Sequence, residues 1–284
     1  MKQFKILHQT TYRFSTFVQL LPHTLRLRPR EGHELRIASS KLTISPPPTL
    51  LWHRDVEGNS VATASFKDKT NTLNIESEIT IEKYDLSPLD FLVADYAVDF
   101  PFSYQCDDKI SLSPYMNFML PGKGDSVNDW VGNFWTRGEK LQTVSLLMRM
   151  NQHIFQNLTY LKREEEGVQS PEYTLACGTG SCRDFAYLFM VAAQRLGLAA
   201  RFVSGYVFSN SSSDRLGSTH AWAEILIPGA GWKGFDPTFG LLVGAEHISV
   251  AVARRPELVP PVAGSFFGAP GSSMTVGVSV TEVT

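Results

Sequence analysis

A chain of 284 residues, 43% of them hydrophobic, is an ordinary globular protein with apolar surface enough for one large domain or two. Its 26 Lys and Arg against 28 Asp and Glu give a net charge of -2 with no basic block, so neither nucleic acid nor an anionic membrane is an expected partner. Three cysteines make no disulfide framework, Met1 to Phe14 holds no apolar leader, and no run approaches about 18 apolar residues, which predicts a cytoplasmic protein without a membrane span.

From Phe4 to about Tyr84 the pattern is one of short strands. Leu25 to Arg28, Leu35 to Ile37, Leu42 to Ile44 and Leu73 through Ile81 alternate apolar and polar residues, and Asp55-Val-Glu-Gly-Asn59 reads as a hairpin loop. Residues 1–84 are therefore expected to form an antiparallel β-sandwich. His8, His23, His33 and His53 fall in this region without ligand spacing, and the expectation for each is an ordinary surface or half-buried histidine.

Residues 85–138 lack a clear period and are broken by Pro114, Pro121-Gly122 and Gly124, which suggests a connecting segment between two halves. Cys106, beside Asp107 and Asp108, has acidic neighbours that disfavour a thiolate. From Glu139 the composition changes. Leu141, Val144, Leu147, Met148, Ile154 and Phe155 mark a helix ending near Asn157, and Lys162 to Gly167 reads as a solvated charged loop.

Gly178-Thr-Gly-Ser-Cys182 then leads into a second helical pattern, with apolar residues at Phe185, Leu188, Phe189, Ala192 and Leu196 and a stop at Gly197. Ser181 and Asp184 have the spacing of a capping box, which puts Cys182 at about the first helical position. Orphan backbone N–H groups and the positive end of the helix dipole stabilise a thiolate there, and an amide at the same end can hold an oxyanion. Arg183 is read either as part of that field or as an exposed helix residue.

Arg201 to Phe208 is a strand, Ser209 to Ser218 a serine-rich loop, and His220 to Ile227 a second strand whose alternation sends His220, Trp222 and Glu224 to one side. A turn at Pro228 to Gly231 returns the chain to Asp236, so a hairpin brings His220 and Asp236 to the same open end. A cysteine on a helix followed by histidine and aspartate on a hairpin has the composition of a nucleophile, base and orienter. Cys177 and Cys182 are five apart with no second pair of ligands, so neither a metal nor a cofactor is expected.

These motifs, Gly-Ser-Cys182-Arg-Asp-Phe-Ala, the run Leu198 to Tyr206, His220-Ala-Trp-Ala-Glu and Gly231 to Thr238, resemble the bacterial transglutaminase-like superfamily. The first third of the chain resembles the β-rich N-terminal region of its bacterial members. The resemblance implies an α+β chain in which residues 139–284 form a papain-like core, a nucleophile helix packed on an antiparallel sheet. In it Cys182 attacks a carbonyl, His220 shuttles the proton and Asp236 orients the imidazole. The implied function is acyl transfer on amide bonds of a protein or peptide through a thioester, with hydrolysis favoured. Glutamine cross-linking or deamidation is the runner-up, and a non-catalytic scaffold the alternative from another class. Trp222 is placed either as a cleft wall or as core, and Trp130 and Trp135 as residues that could approach the cleft. Arg254-Arg-Pro256 departs from the Gly-Arg-Asp that members often carry. No oligomeric state is implied.

Overall fold

The period-two alternation of the first 83 residues produces two antiparallel sheets, each with one apolar face. The computed structural model describes residues 1–85, 89–116, 126–163, 165–208 and 219–283. Its first strands are β1 (Lys2–Leu20), β2 (His23–Leu25), β3 (Leu35–Ser45), β4 (Thr49–Arg54), β5 (Ser60–Ser65) and β6 (Thr70–Lys83). β1, β6 and β3 lie side by side in one sheet, and β2, β5 and β4 in the other. Phe14, Val18, Leu25, Leu27, Leu73 and Ile75 fill the space between them, completing the expected sandwich. The Asp55 to Asn59 loop closes its hairpin with Gly58 at φ 74°, a conformation that favours glycine. Where the sequence suggested strands at Leu35–Ile37 and at Leu42–Ile44, there is a single strand with a register shift between Ile37 and Ser39. An irregularity that breaks the alternation of a strand need not break its hydrogen-bonded course.

The second half continues with β7 (Asp99–Phe100), α1 (Cys106–Met116), α2 (Ser126–Gly132), β8 (Leu141–Gln142), α3 (Thr143–Asn157), β9 (Thr159–Tyr160), α4 (Pro171–Cys177) and β10 (Thr179–Gly180). Then come α5 (Cys182–Arg195), β11 (Ala200–Val207), β12 (His220–Ile227), β13 (Gly231–Asp236), β14 (Leu241–Leu242) and β15 (His247–Ala253). The central sheet runs β14-β13-β12-β11-β15, antiparallel throughout. Its inner face, Ala221, Ala223, Ile225 and Phe235, packs on Phe185, Leu188, Phe189 and Ala192 of α5, and Phe189 stacks on Phe235 at 5.3 Å. On the opposite face Gly205 is needed, because a Cβ there would meet the Trp222 ring at 2.6 Å. Gly197, at φ 79°, ends the helical stretch as expected.

Two boundaries differ from expectation. The described part of 85–138 is no mere connection. Val127, Trp130, Val131 and Phe134 join the core around α5, and Leu112 packs with Tyr104 and Ala199. The unit expected over 139–284 also ends early, since β16 (Val262–Ala263), β17 (Phe266–Phe267) and β18 (Ser272–Val283) pair with β2, β1 and β1 respectively. β1 would otherwise present a long unpaired edge, and the last strand covers it from Gln3↔Val283 to Phe14↔Ser272.

The sandwich docks on β11 and β15 through Phe4, Ile6, Ile79, Ile81, Tyr206, Ile248 and Val250. Polar groups of the sandwich also finish the outer edge of β15. The Asn59 side chain donates to Val252 O at 2.8 Å and accepts from Val252 N–H at 2.9 Å. The Arg30 N–H donates to Ser249 O at 2.9 Å, and Lys83 Nζ to His247 O at 2.5 Å. Among the described residues, no helix is long and apolar enough to cross a membrane.

Candidate active site

Cys182 opens α5, and the loop before it is held on both sides. Thr179 and Gly180 pair in parallel with Thr159 and Tyr160. The capping box forms as the Ser181–Asp184 spacing predicts. Asp184 is fully buried, accepting from Ser181 N–H at 2.8 Å, Ser181 Oγ at 2.7 Å and Gln169 N–H at 2.7 Å. Arg163 Nη1 reaches both of its oxygens, at 2.8 and 2.9 Å. Burial alone would raise this carboxyl's pKa. Donors from Gln169, Ser181 and Arg163 outweigh it and hold the group below the usual range. The helix start is thus rigid, and the Cys182 N–H, first in the helix, has no intrahelical acceptor.

The β12–β13 register, Ala223↔Phe235, brings Asp236 level with Trp222 and next to His220. His220 Nε2 donates to Asp236 Oδ2 at 2.7 Å. Its other nitrogen is left for Cys182, whose sulfur favours the protonated ring. Both His220 and Asp236 are buried. Burial pushes the His220 pKa down, but the Asp236 charge and hydrogen bond, with the Cys182 sulfur, outweigh it and hold the pKa up to about 10. Burial acts on Asp236 in the opposite sense, and its two histidine partners keep it well below the usual carboxylate range.

A fourth member, His247, was not expected as a site residue. His247 Nε2 donates to the same Asp236 Oδ2 at 3.0 Å, while its Nδ1 accepts from Gly244 N–H at 3.2 Å, which fixes the neutral tautomer with the proton on Nε2. Thr238 N–H supplies a further bond to Asp236 Oδ1 at 2.9 Å. His247 begins β15, and only the β11–β15 pairing brings it here, so no local motif announces it. His220, Asp236 and His247 offer ligand atoms within 4.8 Å of one another, the type of set that can take a metal. Both imidazole Nε2–H groups already point at one carboxylate oxygen, so an ion would have to displace two short hydrogen bonds.

Residues 133–237, which include Cys182, His220 and Asp236, match the family model of the Transglutaminase-like superfamily, and residues 4–82 match that of the Bacterial transglutaminase-like N-terminal region. The chain belongs to the transglutaminase-like superfamily. It is 28% identical to the uncharacterized protein Rv2569c of Mycobacterium tuberculosis over 302 aligned positions, covering 99% of this chain and 92% of that one. It is 31% identical to the uncharacterized protein ML0607 of Mycobacterium leprae over 108 positions, 37% of this chain and 38% of that one. Among solved structures, a cysteine-protease candidate from Cytophaga hutchinsonii shares the fold with a TM-score of 0.75 at 19% identity, covering all of this chain and 91% of that one.

In this transglutaminase-like chain a cavity of about 250 Å³ opens over the Cys182–His220 pair. Arg183, Glu166, Thr219, Phe202 and Glu257 are among its walls. Arg183 therefore does line the cleft, and its guanidinium is tied back to the carbonyls of Arg163 and Glu165. The three tryptophans do not line it. Trp222 is buried against Val203 and Val252 and meets the His247 ring edge-on at 5.3 Å, so it packs against the second histidine partner of Asp236. Trp130 packs on Phe134 and His153, and Trp135 on Phe100, because α2 lies in the core formed with α3 and α5. Cys106 and Cys177 are exposed. The serine-rich stretch 209–218 lies outside the described residues.

Proposed function

We propose that this protein is a cysteine-dependent acyl-transfer enzyme that hydrolyses amide bonds of peptides or proteins. The observation that carries the reading is the buried His220–Asp236 pair set against a cysteine at a helix start. His220 holds its proton as the acid-base partner, and the Cys182 sulfur is the nucleophile. The sulfur attacks the carbonyl carbon and the oxygen takes the negative charge near the Cys182 N–H. Collapse breaks the C–N bond as His220 gives its proton to the departing amine, leaving a thioester. Water then attacks, His220 removes its proton, and the acid leaves as the thiolate returns.

Release of the thioester by an amine, giving cross-linking, is the second reading. Glu166 and Glu257 favour it, since carboxylates on the walls of the Cys182 cavity would attract a cationic amine. Incorporation of a fluorescent alkylamine into a glutamine-containing protein distinguishes it from hydrolysis. All three thiols are unpaired, which fits the reducing cytoplasm that we assign as the compartment and that cell fractionation tests.

The first test is alkylation by iodoacetamide, read by peptide mass mapping. Cys182 is half-buried while Cys106 and Cys177 are exposed, so accessibility alone would make it the slowest of the three. The expected result is that Cys182 labels fastest and that His220→Ala removes the advantage. The same substitution is expected to reduce amide hydrolysis by about 10²- to 10⁴-fold, the usual contribution of a positioned acid-base. A Cys182 that labels more slowly than the other two in wild type would move the scaffold reading to the front.

A further inference from the structure

We propose that the cleft between the sandwich and the catalytic sheet is a substrate groove that seats an extended polypeptide segment leading to Cys182, an inference that rests on the acyl-transfer reading. The cavity over Cys182 adjoins a second one of about 540 Å³. The two share Glu166, Gly167, Arg183, Thr219, Pro260 and Pro261 as walls, so they lie side by side. One side of the larger cavity is the face of β1 that carries His8, Thr10, Tyr12 and Phe14, flanked by Met274 and Val276 of β18. The residues from Val262 to Phe266 also line it.

The dimensions decide between a small amide and a polypeptide. His8 to Phe14 spans six steps along a strand, about 20 Å at about 3.4 Å per residue. An extended segment of about six residues has the same length. A small amide would fill only the cavity over Cys182 and leave the rest of the groove without a use. The groove also presents apolar side chains that folding has left in water, Met274 at 51% and Val276 at 37% exposure, beside the half-buried phenol of Tyr12. That mixture suits a chain with alternating side chains better than it suits a uniform apolar ligand. The sandwich would then be half of the substrate site, and the return of β18 to β1 would be what completes it.

The test uses the intact chain and alkylating peptides of two, four and eight mixed residues, carrying either a C-terminal chloromethyl ketone or an N-terminal iodoacetyl group. Iodoacetamide is the reference without a peptide. In one of the two series the Cys182 labelling rate, relative to the reference, is expected to rise about tenfold with length, equivalent to about 1.4 kcal/mol, and to level off near six residues. Val276→Asp, and independently Met274→Ser, should bring that ratio back to about one. A ratio that does not change with length, with iodoacetamide labelling of Cys182 retained, overturns the groove and leaves the acyl-transfer reading standing. Failure of every reagent at Cys182 overturns that reading and the groove with it. Groove substitutions that leave the ratio intact but alter the mass found by sedimentation would make this face a contact between copies, which also overturns the inference.

Discussion

Asp236 accepts from three donors, two of them imidazoles, and its charge is what keeps His220 protonated in a buried place. Asp236→Asn keeps the shape and removes the charge. The basic limb of kcat/KM against pH reports loss of the imidazolium proton, expected near pH 10 in the wild type from the raised His220 pKa. In the variant, burial remains while the opposing charge is gone, so the limb should fall toward or below the ordinary histidine value of 6.5. A basic limb that stays in place would show that Asp236 does not set the His220 proton affinity. Cys182, His220 and Asp236 were legible in the sequence because helix start, strand and hairpin each have a local signature. His247 was not, since its ring reaches Asp236 only through a strand pairing between residues about 45 apart in the chain, such as Phe202 with Ala253 and Val207 with His247.

At the scale of elements, the outer edge of β15 decides how firmly His247 is held. An edge strand has backbone groups that need partners, and here the sandwich provides them with side chains instead of another strand. Asn59 is fully buried and bonds both the N–H and the C=O of Val252. Asn59→Ala would leave two buried backbone groups unpaired at about 1–3 kcal/mol each, so a loss of about 3 kcal/mol is expected in urea unfolding. A loss below about 0.5 kcal/mol, the range of ordinary surface substitutions, would mean that water or a shifted backbone takes over these bonds. The hairpin that carries Asn59 was readable from Asp55-Val-Glu-Gly-Asn59. Its use was not, because a turn motif specifies its own hydrogen bonds and says nothing of a strand almost 200 residues away.

For the whole molecule, the contact between sandwich and catalytic sheet is set by apolar packing with titratable groups inside it, His8, Lys83 and Tyr206 among them. Strand content and the sandwich followed from alternation, but which half the last strand would join did not, since pairing partners at opposite chain ends leave no periodic trace. His8, expected to be an ordinary histidine, is fully buried at this contact, with Nδ1 at 2.9 Å from the Tyr206 hydroxyl and Nε2 at 3.0 Å from Thr10 Oγ1. Burial lowers its pKa from 6.5 to about 4. Between those values the unfolded chain binds a proton that the folded one refuses, so acid favours unfolding there, by about 1.4 kcal/mol per pH unit. The penalty is absent above pH 6.5 and is on the order of 3 kcal/mol by pH 4. Asp236 adds an acid-side loss of its own only below the ordinary carboxylate pKa of 3.8, so the two contributions occupy separate windows. Urea unfolding of wild type and His8→Gln at pH 7, 5.5 and 4.5 isolates the His8 part. The difference in stability between the two should shift toward the variant as pH falls from 6.5. A difference that stays constant over that range would place the His8 proton in the folded contact after all and remove acid as a means of loosening the two halves.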